Sequence, residues 1–144
     1  MIVCSYFLIL ASYFPPPVYN KEMEKVITGV VVEGNKRGKR LGFPTLNVAA
    51  GTSLPEGIHI SSTEIEGKMH NSLTFIGSAK TYDETVYQSE TYVFDFDKDI
   101  YGQTVTITLL KKIRDNEKFV SEEKLIRKMR EDEKVALAFF KSEN

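Results

Sequence analysis

A change of period near residue 120 restricts the fold of this chain more than any other feature of its sequence. Up to Ile113 the apolar residues come in short strand-like runs; beyond Ser121 they recur at helical spacing. Gln103–Ile113 sets Val105, Ile107 and Leu109 against Thr104, Thr106 and Thr108, the pattern of a half-buried antiparallel strand. Gln88–Phe96 sets Glu90, Tyr92, Phe94 and Phe96 against Ser89, Thr91, Val93 and Asp95. The three aromatics are expected to face the core, which puts Glu90 at the rim of that face. Val26–Glu33, Ile58–Ile65 and Asn71–Gly77 read as further strands, with Glu66-Gly67-Lys68 as the hairpin turn between the last two. Asn35–Arg40, Lys80–Thr85 and Asp97–Gly102 read as loops or turns. In the last segment Ser121 suits an N-cap, Glu122 and Glu123 suit the positive end of the helix dipole, and Leu125, Ile126, Met129, Ala136, Leu137 and Phe140 make an apolar stripe. Strands first and one helix last predict a mainly β domain, an antiparallel barrel or sandwich carrying a C-terminal α-helix.

The 144 residues suffice for one domain with a real core. Residues 25–144 are expected to form it, and residues 1–24 an N-terminal extension. Within that extension Ile2–Phe14 is apolar and stops at Pro15-Pro16-Pro17, a boundary signal. Its 13 residues are too few to span a bilayer as a helix. It shows neither a basic leader nor a clear small-residue cleavage site, so it is read as an extra packed element or a remnant of a longer chain. A net charge of −1 nominates neither nucleic acid nor membrane as partner. Cys4 is the single cysteine, which excludes an intrachain disulfide framework and fits a reducing compartment, so a cytoplasmic location is expected. His59 and His70 stand alone and are read as strand or surface residues; no Cys/His cluster has zinc-ligand spacing.

The chemistry is concentrated in Gly38–Asn47, where a basic, glycine-punctuated loop runs into Pro44-Thr45-Leu46-Asn47. In an extended segment Thr45 and Asn47 point to the same side. They offer two neutral oxygens to one hard cation, and Mg²⁺ favours oxygen ligands shared with substrate phosphates. Gly34, Gly38 and Gly42 let backbone N–H groups approach those phosphates. The plainer reading of the same residues is a proline–threonine turn between strands, with Lys36, Arg37, Lys39 and Arg40 as solvated charges. Glu90 is open in the same way: a salt-bridged structural carboxylate, or one positioned for chemistry.

Three separate stretches resemble the riboflavin kinase family. Gly34-(x)₃-Gly38 followed by Leu41-Gly42-Phe43-Pro44-Thr45-Leu46-Asn47 resembles its nucleotide-and-metal motif. Glu90-Thr91-Tyr92-Val93-Phe94-Asp95-Phe96 with Ile100-Tyr101-Gly102 looks like the strand of its catalytic glutamate. Ile113-Arg114 through Phe119, Ser121, Leu125 and Asp132 resembles its flavin-side loop and closing helix. The likeness runs colinearly over about residues 26–136 and includes Pro55-Glu56-Gly57-Ile58 and Ile76-Gly77. It implies a six-stranded antiparallel Greek-key β-barrel with a C-terminal α-helix, and transfer of the ATP γ-phosphate to the ribityl 5′-hydroxyl of riboflavin, giving FMN. By the same resemblance Thr45 and Asn47 hold Mg²⁺, or another divalent ion such as Mn²⁺ or Zn²⁺, against the phosphates. Gly34, Gly38, Lys39, Gly42 and Pro44 belong with Thr45 and Asn47 to the nucleotide site. Glu90 is the catalytic base, and Arg114, Glu117 and Phe119 are flavin-binding, with Arg114 on a flexible loop. Riboflavin and ATP are then the partners, and a monomer is expected.

The sequence departs from the family pattern in places. Leu46 replaces an alanine, Ile76-Gly77-Ser78-Ala79-Lys80-Thr81-Tyr82 lacks the usual proline, and Arg114-Asp115-Asn116-Glu117-Lys118-Phe119 displaces a glutamate by one position. An adenylyltransferase domain with its His-x-Gly-His motif is not found, so FAD synthesis is not expected. A conventional P-loop is absent. The competing readings are a non-catalytic flavin- or nucleotide-binding barrel, which need not keep Glu90 together with Thr45 and Asn47, and an OB-like RNA-binding barrel using the basic cluster.

Overall fold

A computed structural model describes residues 25–34, 36–50, 54–80 and 85–144. The apolar run Ile2–Phe14, the triple proline, Cys4 and the boundary at residue 24 lie outside the described residues, as do residues 81–84 of the loop expected at Lys80–Thr85. Six antiparallel strands close on one another: β1 (Lys25–Val32), β2 (Thr45–Ala50), β3 (Gly57–Ile65), β4 (Lys68–Lys80), β5 (Thr85–Val93) and β6 (Thr104–Arg114). A short helix α1 (Arg37–Arg40) stands between β1 and β2, and a long one, α2 (Glu122–Glu143), follows β6. The order around the barrel is β1-β2-β5-β4-β3-β6. Strands β3, β4 and β5 thus pair in succession while β2 crosses to β5 and β6 to β3, a Greek key. Closure leaves no open sheet edge. Among the described residues no helix is long and apolar enough to cross a membrane.

The core divides in two. Inside the barrel lie Ile27, Val31, Val48, Ile65, Ile76, Val93, Val105, Ile107 and Leu109, and the expected parity of β6 holds. Between the outer sheet face and α2, Ile60, Leu73 and Phe94 meet Ala136, with Tyr92, Phe139 and Phe140 packed against them. The expected parity of β5 is reversed: Ser89, Thr91 and Val93 line the interior, while Glu90 and Tyr92 face outward. A narrow barrel has room inside for hydroxyl-bearing side chains that bond one another, and not for a file of aromatic rings. The chain Thr63–Ser72–Ser61–Thr74–Thr91 does this through four hydroxyl contacts of 2.8 Å each. The aromatic pattern breaks at Asp95, whose φ of 54° turns the chain, so Phe94 packs toward α2 and Phe96 toward the interior.

Other differences are local. Asn35–Arg40, expected as loop, contains α1, which begins at Lys36 in the left-handed region. The strand expected at Asn71–Gly77 extends to Lys68–Lys80 because the Glu66-Gly67 turn, with both residues at positive φ, carries the pairing to its end. His59 is a buried strand residue whose Nε2 lies 2.8 Å from the Pro55 carbonyl oxygen, and His70 packs edge-on against Phe96. Ser121 caps α2 by accepting from the Lys124 N–H at 3.3 Å. Leu137, expected on the buried stripe, is exposed. At about 100° per residue it lies a quarter turn from Ala136, while Met129, Asp132, Ala136 and Phe140 stay in line.

Candidate active site

The site is built on the outer face of β2 and β5. Their register sets Asn47 directly opposite Glu90 and Thr45 opposite Tyr92. Opposed residues of an antiparallel pair share a face, so all four side chains project from one patch of barrel wall. Two cavities adjoin this patch. The smaller, about 180 Å³, is lined by Lys36, Lys39, Pro44, Thr45 and Asn47 and by the Phe96–Tyr101 segment. The larger, about 560 Å³, holds Arg37, Gly38, Glu90 and Tyr92 and runs on to Phe119, Leu125 and Met129. Among the described residues Thr45 is the one that lines both.

Two of the expected glycines matter for a reason other than bare backbone donors. A Cβ on Gly34 would sit 2.6–2.7 Å from Cγ and Oδ1 of Asn47, and one on Gly38 would strike the Phe43 carbonyl and press on Thr45 Oγ1 at 3.4 Å. Both glycines therefore leave space for the Thr45 and Asn47 side chains. Gly42, at φ 89°, only turns the chain after α1 and lines neither cavity. Among the described residues Thr45 and Asn47 make no side-chain hydrogen bond to the protein, and no group of three or more acidic, histidine or cysteine side chains is placed to hold a metal ion. A pair of neutral oxygens with space kept clear beside them fits a hard divalent cation that takes its remaining ligands from phosphate and water.

Glu90 is half-buried, and burial raises its carboxyl above the ordinary value of 4.5, with Arg37 pulling the other way. Its polarity and position suit a base facing the larger cavity. Tyr92 beside it stacks edge-on with Phe43 and Phe94 at 5.3 and 5.4 Å, and its hydroxyl lies 3.5 Å from Glu133 Oε1. Tyr92 thus joins the Pro44–Asn47 turn to α2.

Arg114 is the last residue of β6, not a loop residue, and its guanidinium is held by α2. Nε donates to Asp132 Oδ1 and Oδ2 at 2.9 and 3.0 Å, Nη2 to Oδ2 at 2.7 Å, and Nη1 to the Asp115 carbonyl at 3.1 Å. Its Cζ stands 5.9 Å over the Phe119 ring. Glu117 and Phe119 line the larger cavity alongside Arg114, so the expected flavin-side residues converge.

Residues 22–140 match the riboflavin kinase (flavokinase) family. The chain belongs to the riboflavin kinase family. It is 32% identical over 147 aligned positions to the bifunctional riboflavin kinase/FMN adenylyltransferase of Bacillus subtilis, covering 92% of this chain and 46% of that protein. It is 34% identical over 109 positions to the RNA-binding riboflavin kinase RibR of the same organism, covering 74% of this chain and 47% of that one. A solved structure from Streptococcus pneumoniae, described as a macrolide-efflux protein, superposes with a TM-score of 0.72 at 34% identity, over 77% of this chain and 38% of that one. The chain spans less than half the length of each.

Two wall residues of this riboflavin kinase family member, Lys98 and Asp99 of the smaller cavity, escape sequence reasoning. Lys36 of the smaller cavity and Arg37 and Tyr92 of the larger one fall in the basic cluster and the Glu90 strand that the sequence marks, without being assigned to the site. Asp132 carries part of the family resemblance, yet its pairing with Arg114 goes unread, although a carboxylate in the middle of the apolar stripe of α2 demands a partner when buried.

Proposed function

We propose that this chain is a riboflavin kinase that transfers the γ-phosphoryl group of ATP to the ribityl 5′-hydroxyl of riboflavin, yielding FMN and ADP. The observation that carries the reading is the meeting of the two cavities at Thr45, with Asn47 on one side and Glu90 on the other. The smaller cavity, with Lys36 and Lys39 on its wall, suits the nucleotide phosphates. The larger one, walled by Leu73, Phe75, Phe119, Leu125 and Met129, suits the flat tricyclic ring of a flavin.

A divalent cation on Thr45 and Asn47 neutralises phosphate charge when bound. Glu90 accepts the proton of the ribityl hydroxyl as its oxygen bonds to the γ-phosphorus, and the bond from that phosphorus to the bridging oxygen breaks to leave ADP. Arg37, beside Thr45 and Glu90 in the larger cavity, adds positive charge where the transferring group passes. Positioning and charge neutralisation supply most of the catalysis in such transfers. Riboflavin and ATP are the proposed partners of a cytoplasmic monomer.

The test is conversion of riboflavin to FMN with Mg²⁺ and each nucleotide in turn, the products resolved by chromatography. Glu90→Gln is expected to cut FMN formation about 10²–10⁴-fold while riboflavin still binds. Near-normal turnover of that variant with a lower melting temperature would make Glu90 a structural carboxylate and defeat the mechanism.

A further inference from the structure

One departure from the family pattern acquires a physical role in the fold. Position 116 carries Asn where the family motif carries a carboxylate, and the Asn116 amide Nδ2 donates to the Ile76 carbonyl at 3.1 Å. Ile76 stands in the last β3–β4 pair, Gly57↔Ile76, where the ladder ends and its carbonyl can take a donor from outside the sheet. Gly57 makes the reach possible. It sits at φ 131°, and a Cβ there would lie 2.6 Å from the Arg114 carbonyl oxygen, so only glycine lets the chain leaving β6 pass over the start of β3. The segment after Arg114 is therefore fastened twice. The Arg114–Asp132 ion pair ties it to α2, and the Asn116 amide ties it to β4. Between these two fastenings and Phe119 the segment forms one wall of the larger cavity.

We propose that Asn116 is a positioning residue that latches the Asp115–Phe119 segment against β4 and so sets how long a flavin stays in the larger cavity. The inference rests on the reading of that cavity as a riboflavin site. A carboxylate at this position cannot donate to the Ile76 carbonyl and would repel it, so the latch belongs to the amide found here. Opening the segment requires breaking this bond, while the ion pair to Asp132 keeps the far side in place.

The experiment compares the parent with Asn116→Asp, which keeps the shape and loses the donor, and Asn116→Gln, which keeps the donor. Riboflavin itself is the probe, its fluorescence anisotropy followed by stopped flow, together with hydrogen exchange of the Asp115–Phe119 amides in the ligand-free protein. Loss of one neutral hydrogen bond at a part-exposed position predicts riboflavin dissociation about 2- to 10-fold faster for Asn116→Asp. The KM for riboflavin should rise in step, the KM for ATP should move less, and amide exchange in the segment should accelerate. Asn116→Gln should recover part of each change. Unchanged dissociation and unchanged exchange in Asn116→Asp would overturn the latch. If the parent shows no riboflavin anisotropy, the site reading is what fails, and the exchange comparison still decides whether Asn116 holds the segment.

Discussion

The Arg114–Asp132 pair sets up a quantitative test. Their side chains are 16% and 8% exposed, and the carboxylate receives three donor contacts of 2.7–3.0 Å. Removing one member of a buried pair costs about 3–5 kcal/mol because the other charge stays buried without compensation. Asp132→Asn keeps one acceptor oxygen, and Arg114 keeps its bond to the Asp115 carbonyl, so the loss should fall at about 2–3 kcal/mol. For a fold of this size that lowers the melting temperature by about 6–15 °C. The chain has no tryptophan, so urea unfolding is followed by far-UV circular dichroism, where the midpoint should drop with the slope unchanged. Arg114→Met combined with Asp132→Leu removes both charges, and it should recover most of the stability lost by either single change. The same double variant should bind riboflavin poorly, since the ion pair that ties the end of β6 to α2 is then gone. A single Asp132→Asn loss below about 0.5 kcal/mol, or a double variant as unstable as the two single losses added, would show that the pair does not carry the load assigned to it.

Gly34→Ala should raise the Mg²⁺ concentration needed for half-maximal turnover several-fold, because its Cβ meets the Asn47 amide at 2.6–2.7 Å; identical metal titrations of variant and parent would contradict this. Burial raises the Glu90 carboxyl while Arg37 lowers it, so the acid limb of the pH–rate profile should lie above 4.5 and move further up in Arg37→Gln. An unmoved limb would remove Arg37 from the electrostatics of the base. His59 is held below its ordinary value of 6.5 chiefly by burial. The unfolded chain therefore binds more protons there as pH falls. The stability His59 contributes is complete above 6.5 and fades as pH drops from that value toward the folded one. His59→Gln should flatten that part of the stability–pH curve, measured by urea midpoints across the window.

Much of the barrel is legible in the chain, and the lapses have physical causes. The β6 parity follows from Val105, Ile107 and Leu109 because bulky apolar residues alternate there with threonines that do face outward. On β5 the same logic assigns Ser89 and Thr91 to solvent, and they are fully buried. Polarity alone cannot tell a solvated hydroxyl from one satisfied by another hydroxyl across a barrel. Thr45 and Asn47 are recognisable as a pair from their spacing. That Glu90 stands opposite Asn47 depends on β2 pairing with β5, a long-range match that no local pattern encodes. Arg114 is visible as a candidate site residue, but its commitment to Asp132 is not, because the partner lies across β6 and α2 and reads as a break in an apolar stripe.

The hydroxyl file inside the barrel also bears on how the sequence can drift. Each inner member of Thr63–Ser72–Ser61–Thr74–Thr91 has one proton to give, and the file is bonded uniformly when each hands it to the next member and receives one from the member before. The file therefore has two self-consistent polarities, all protons pointing one way or all the other, and passing between them requires the members to turn together. Trading Ser72 or Thr74 for an apolar group strands Thr63 or Thr91 in a dry interior at a cost of about 1–3 kcal/mol, whereas exchanging an end pair, Thr63 with Ser72 or Thr74 with Thr91, for apolar groups of like volume leaves the remaining hydroxyls bonded to one another. Residues drawn from three different strands are thereby bound to change in company: the lumen of this barrel can be rewritten in phrases but not letter by letter.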